Sequence, residues 1–177
     1  MPTISKKVCL LGDFAVGKTS LVRRFVYNLF DDKYISTIGV KVSRKTVTVP
    51  RSGELVELTM MLWDLAGSEE FNQMRASYLR GSAGAVLVCD LTRPATLDSL
   101  RGYADDLLKV NAQVQLIVAA NKYDLLDSSI NYSAYLTPDQ AETVATELNA
   151  PFHLTSAKTG DEVETLFRQL ARRLLQE

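Results

Sequence analysis

The sequence predicts an α/β fold with a mostly parallel sheet. Three observations predict it. Short continuous apolar runs alternate with longer amphipathic stretches, as buried parallel strands alternate with helices. The longest runs, Ala83 to Cys89 and Val114 to Ala120, are too short to cross a bilayer but suit a buried strand. The 177 residues, 46% hydrophobic and 23% charged, suit one compact domain with a substantial core.

Each element follows from its residues. Lys7 to Leu11 reads as a first buried strand and Gly12 to Gly17 as a loop. A helix follows from Lys18 to Asn28, with Leu21, Val22 and Phe25 on its core face. Phe30 to Gly39 is polar and has no period. Val40 to Val49 and Leu55 to Asp64 read as strands. The turn signal Pro50-Arg51-Ser52-Gly53 joins them as an antiparallel hairpin. Gly84 to Asp90 and Val114 to Ala120 read as parallel strands. The helix between them, Pro94 to Val110, buries Leu97, Leu100, Ala104, Leu107 and Leu108. Thr137-Pro138-Asp139-Gln140 opens another helix with a capping box. Phe152 to Thr155 is a last short strand. The final helix carries Val163, Leu166, Phe167, Leu170 and Leu174 on one face. The sum is six strands and five helices with one antiparallel edge strand.

Composition excludes several classes. Twenty Lys+Arg against 21 Asp+Glu leave a net charge of −1, without the basic excess of a nucleic-acid binder. The start Met-Pro-Thr-Ile-Ser-Lys-Lys has no signal-peptide run, and Pro2 removes the glycine needed for myristoylation. Leu174-Leu175-Gln176-Glu177 offers no cysteine for prenylation. The expectation is a cytoplasmic monomer without an anchor of its own, recruited to membranes only by partners. Cys9 and Cys89 lie in apolar runs and read as small core residues of a protein in a reducing compartment. The single histidine, His153, reads as a strand residue rather than a base or metal ligand.

In a parallel sheet, ligands bind where the strands end. After the first strand comes Gly12-Asp13-Phe14-Ala15-Val16-Gly17-Lys18-Thr19, which fits G-x-x-x-x-G-K-[ST]. Such a loop wraps a polyphosphate with backbone N–H groups and aims a helix N-terminus at it. Lys18 would reach the β- and γ-phosphates, and the Thr19 hydroxyl would ligate Mg²⁺. Asn121-Lys122-Tyr123-Asp124 follows the fifth strand and Thr155-Ser156-Ala157-Lys158 the sixth. Asp124 suits guanine, whose N1–H and 2-amino donors lie side by side; adenine would leave that carboxylate unpaired. The Ala157 N–H would donate to the guanine O6. Lys122 would cover one face of the base and Phe30 the other. Sensing a γ-phosphate with Mg²⁺ needs a hydroxyl, a carboxylate and a mobile N–H; Thr37, Asp64 and Gly67 are those three.

With Tyr34-Ile35-Ser36-Thr37-Ile38-Gly39-Val40, Trp63-Asp64-Leu65-Ala66-Gly67 and Tyr78-Leu79-Arg80-Gly81, the sequence resembles the Ras-like small GTPases and most closely their Rab branch. The resemblance runs from Lys7 to Leu174. It implies a single GTP-binding domain over residues 1–177, bound GTP or GDP with Mg²⁺, and switch loops that order around GTP. Its partners would be effectors, an exchange factor and a GTPase-activating protein. Carried over residue by residue, it makes Lys18, Thr37, Gly67 and Ser68 the catalytic positions, and Thr19, Thr37 and Asp64 the metal ligands. It adds Ser20, Tyr34, Asn121 and Lys158 to the nucleotide site, with Ser156 beside Ala157. Lys41 and Val42 at switch I, with Trp63, Phe71 and Tyr78 at switch II, would make an effector patch if several of the aromatics are exposed; the other reading makes Trp63 and Tyr78 partly buried packing residues.

Three departures from the family pattern matter. Ser68 stands where the family has a glutamine that orients the attacking water. Phe14 occupies a position that is small in most relatives, where a ring would crowd an incoming arginine. No lipidation cysteine ends the chain. The connection Leu125 to Leu136 is also longer than usual, and Val42 replaces a phenylalanine. The switch I stretch holds no arginine, so unassisted hydrolysis is expected no faster than the order of 10⁻⁴ s⁻¹. Two readings stand: a GTP-dependent switch with weak GTPase activity, and a GTP-binding interaction module with little or none. An ATPase or nucleoside kinase would give Asp124 nothing to pair.

Overall fold

The computed structural model describes residues 1–33, 36–67, 72–126 and 134–176, without the side chains of residues 72 and 73. The strands are β1 (Thr3–Leu11), β2 (Val40–Arg51), β3 (Glu54–Leu65), β4 (Ser82–Asp90), β5 (Gln115–Asn121) and β6 (Phe152–Leu154). The helices are α1 (Lys18–Tyr27), α2 (Asn72–Leu79), α3 (Ala95–Asp98), α4 (Leu100–Val110), α5 (Pro138–Glu147) and α6 (Val163–Leu174). The sheet order is β2-β3-β1-β4-β5-β6, with only the edge strand β2 antiparallel to its neighbour. This is the six-stranded arrangement with one antiparallel edge strand that the sequence predicts, with the expected third helix divided into α3 and α4. Among the described residues, no helix is long and apolar enough to cross a membrane.

Because side chains alternate along a strand, the sheet feeds two cores. Val8 and Leu10 of β1, Val86 and Val88 of β4 and Ile117 of β5 face α1 and α6. Cys9 and Leu11, Leu87 and Cys89, and Val118 face α4 and α5. On the first side Phe25 and Phe167 stack with centroids 4.2 Å apart and planes 15° apart. His153 is indeed a strand residue; its imidazole meets Glu162 at 3.0 Å and also Gln169.

Local differences from the expected elements have physical causes. β1 begins at Thr3 rather than Lys7, because the N-terminal half of β3 extends past β4 and pairs Thr3–Lys6 with Glu57–Met60. The hairpin turn is only Ser52-Gly53, both at positive φ (51° and 86°), the mirror-image turn that suits the strand twist. Pro50 and Arg51 remain in β2, where an edge strand tolerates proline. The helix expected from Pro94 to Val110 is interrupted at Ser99, whose hydroxyl is turned to the phosphate loop. The capping box of α5 forms as read: Gln140 N donates to Thr137 Oγ1 at 3.3 Å, and Thr137 N to Gln140 Oε1 at 2.8 Å.

Phe167 is fully buried in the stack against Phe25. Phe167→Ala is expected to lower the unfolding free energy by about 3–5 kcal/mol, read from urea denaturation at constant nucleotide concentration.

Candidate functional site

The loop between β1 and α1 is shaped by two left-handed residues, Ala15 (φ 62°) and Gly17 (φ 105°). A Cβ at Gly17 would also collide with the Asn121 side chain, so both the dihedral and the space require glycine. α1 begins without a side-chain cap and without an acidic residue in its first turn. Its leading amides are left for an anion. Lys18 is buried, and its ammonium donates to Gly12 O at 2.8 Å and Asp13 O at 3.0 Å. Burial pushes its pKa down to about 8; Asp64 and Asp13 oppose the shift and Arg93 adds to it. The Asp13 carboxylate turns away from the loop and accepts from Ser99 Oγ at 2.6 Å and Tyr103 Oη at 2.7 Å. Arg75 of α2 stacks 4.7 Å over the Tyr103 ring and pairs with Asp106 of α4 at 2.7 Å.

Beside the loop stands a cluster of oxygens. Thr19 Oγ1 donates to Asp64 Oδ2 and lies 2.6 Å from Thr37 Oγ1. Asp64 Oδ1 is buried with no hydrogen-bond partner. Burial raises the Asp64 pKa, against the Thr19 hydrogen bond and the Lys18 charge. Hard oxygen donors with an unsatisfied buried carboxylate oxygen fit a hard divalent cation such as Mg²⁺. Register sets the height of the cluster: Leu10, next to the loop, pairs with Asp64 on β3.

At the other end, Asn121 joins three segments. Its Nδ2 donates to Val16 O at 3.0 Å, and its Oδ1 accepts from Thr155 Oγ1 at 3.1 Å and Ala157 N at 3.4 Å. Asp124 is exposed to the cavity, with Oδ1 held by Ser156 Oγ at 2.7 Å. Arg24 of α1 holds the base loop from behind, donating to Ala157 O at 2.8 Å and to Lys158 O. Lys122 pairs with Asp90 at 2.8 Å. Asp90 is 1% exposed and also accepts from Thr92 N, Thr92 Oγ1 and Arg93 Nε. Burial pushes the Asp90 carboxyl up, but the bonds from Lys122 and Thr92 outweigh it and hold it below its ordinary value.

These parts enclose one cavity of about 310 Å³. Phe14, Ala15, Gly17, Lys18, Thr19, Ser20, Phe30, Thr37, Gly67, Asn121, Lys122, Asp124, Ala157 and Lys158 line it. Gly12, Asp13, Val16, Asp64 and Ser156 do not line it; they brace the residues that do. Gly67 lies so close to the loop that a Cβ there would sit 2.7 Å from Asp13 C and Phe14 N. Tyr34, Ser68 and Phe71 lie outside the described residues. Trp63 and Tyr78 are half-buried packing residues, their rings 6.4 Å apart, with Lys7 Nζ 3.8 Å over the indole. The apolar side chains most open beside them are Ile38, Val42 and Met74. Arg24, Asp90, Arg93, Ser99 and Tyr103 are braces that sequence reasoning missed, since none belongs to a nucleotide motif. Arg23, Leu29, Asp31, Asp32 and Leu125 are cavity residues it did not single out.

The fold and the loop–cavity arrangement define a P-loop nucleotide-binding protein. The Ras family profile matches residues 7–176. Ras-related protein SEC4 of Saccharomyces cerevisiae is 37% identical over 172 residues, 97% of this chain and 75% of that protein. The chain belongs to the Ras family of small GTPases, and its affinity within it is to the Rab branch.

Asn121→Ala would leave Val16 O and the Thr155 hydroxyl without their buried partner. It is expected to lower stability by at least about 2 kcal/mol, measured by urea unfolding of nucleotide-free protein.

Proposed function

We propose that this chain is a guanine-nucleotide-dependent switch that binds GTP and GDP with Mg²⁺, hydrolyses GTP slowly and signals through the segments around Thr37 and Gly67. The observation that carries this reading is a cavity with Lys18 and Thr19 at one end and Phe30, Lys122, Asp124 and Ala157 at the other. The first pair suits a polyphosphate, the second group a purine with two adjacent donors. Lys18 and the loop amides hold phosphate oxygens. Asp124, steadied by Ser156, accepts from N1–H and the 2-amino group, and the Ala157 N–H donates to O6. Thr19, Thr37 and Asp64 would hold Mg²⁺, which when bound would neutralise charge on the phosphate oxygens. Thr37 and Gly67 border the terminal phosphate from two separate segments and report its presence. The open side chains Ile38, Val42 and Met74 receive effectors, and membrane association is peripheral, through partners.

Phe14 favours the second reading, an interaction module with little hydrolysis. Its ring is 48% exposed at the cavity wall, where an arginine from a partner would have to pass. Ser68 favours it too, because a hydroxymethyl is too short to orient water as glutamine does.

Single-turnover hydrolysis of preloaded GTP with Mg²⁺ separates the two. Conversion to GDP over hours is expected for the switch, and persistence of GTP for the module. Ser68→Gln is expected to speed conversion; no gain would place the block at Phe14. Asp124→Asn replaces one acceptor by a donor and is expected to weaken GDP binding by orders of magnitude. Unchanged affinity in that variant would remove Asp124 from base recognition.

A further inference from the structure

A phosphate loop works only if its amides face inward, and each amide is rigidly tied to a carbonyl. Across a planar trans peptide, C=O and N–H point in opposite directions. Holding the carbonyl of one residue on the outside therefore aims the N–H of the next residue inside. Asn121 does this for the peptide Val16–Gly17, donating to Val16 O at 3.0 Å. A second side chain does it for the peptide Phe14–Ala15: Arg93 Nη2 donates to Phe14 O at 2.6 Å. Ala15 is left-handed (φ 62°), a conformation that curls successive amides toward one side of a loop.

Arg93 is itself fixed. Its Nε donates to Asp90 Oδ2 at 3.0 Å, and Asp90 is buried and held by Thr92 and Lys122. The Arg93 carbonyl accepts from Thr96 N at 3.0 Å and Thr96 Oγ1 at 2.7 Å, anchoring the backbone at the start of α3. The guanidinium thus spans a rigid strand end and the loop.

We infer that Arg93 is a positioning residue for phosphate binding: it holds the Phe14 carbonyl outside the loop and thereby turns the Ala15 N–H toward the phosphates of the bound nucleotide. This rests on the nucleotide-binding reading above and adds a residue that belongs to none of its motifs. The bond is charge-assisted and made to a backbone oxygen, so a shorter neutral side chain loses it, while lysine keeps the charge but not the fork.

The test compares the full chain with Arg93→Gln and Arg93→Lys. Arg93 is 42% exposed, so neither change buries an unpaired group. Equilibrium binding of GDP, GTP and GMP is measured, together with the backbone amide resonance of Ala15 in the GDP complex. In Arg93→Gln, GDP and GTP affinity is expected to fall about tenfold, with GMP affinity unchanged within about twofold, because only the longer nucleotides reach the Ala15 amide. The Ala15 proton, downfield in the wild-type complex, is expected to move upfield. Arg93→Lys is expected to lie between. Unchanged GDP affinity and an unmoved Ala15 resonance overturn the inference, as does an equal loss for GMP, which signals general loosening of the loop. A wild-type chain without affinity for GDP overturns the nucleotide-binding reading, and this one with it. Wild-type binding with an indifferent Arg93→Gln overturns only the role of Arg93.

Discussion

An amide can face an anion only when the carbonyl of its own peptide has somewhere else to go. Much of this structure exists to meet that condition in one short loop. The carbonyls of Gly12 and Asp13 go to Lys18, that of Phe14 to Arg93 and that of Val16 to Asn121. The three partners come from α1, from the end of β4 and from the end of β5. Their heights around the loop are set by strand pairing, since β1 lies inside the sheet with β3 and β4 on either side. A slip of one residue between β1 and β4, or between β4 and β5, would carry Arg93 or Asn121 out of reach of the loop.

The same loop is tied to α2 by way of α4. Asp13 holds Ser99 and Tyr103, and the Tyr103 ring lies under Arg75, which pairs with Asp106. α4 therefore touches the loop through one set of side chains and α2 through another. Gly67 stands against the loop on the way from β3 to α2, in a gap too narrow for any side chain.

Much of this was legible in the sequence. Apolar runs located the inner strands, and the Thr-Pro-x-Gln start located α5, because burial and capping are local in sequence. The nucleotide motifs located the cavity walls for the same reason, as each lies on one strand end. What stayed hidden depends on tertiary pairing. Thr3–Lys6 is polar but for Ile4, and it joins the sheet by pairing with β3. Arg93 and Tyr103 are an unremarkable loop arginine and a helix tyrosine until folding brings them to the phosphate loop. Arg24 looks like a solvent-facing cation on α1, yet it holds two carbonyls of the base loop, more than a hundred residues away in sequence. Trp63 and Tyr78 are half-buried, with Lys7 and the second core against their inner faces, a packing that only the tertiary structure shows.

The long hairpin has a consequence for handling the molecule. From Asp64 to the tip at Ser52-Gly53, β3 runs ten residues, roughly 33 Å at the rise of an antiparallel strand. The tip is therefore remote from the nucleotide cavity while belonging to the same rigid sheet. Chain length can change there without altering the register that places Asp64 beside Leu10. A fluorophore or affinity loop grafted between Ser52 and Gly53 would travel with the domain as a rigid body and leave the cavity free, so the tip is the natural handle for immobilising this protein.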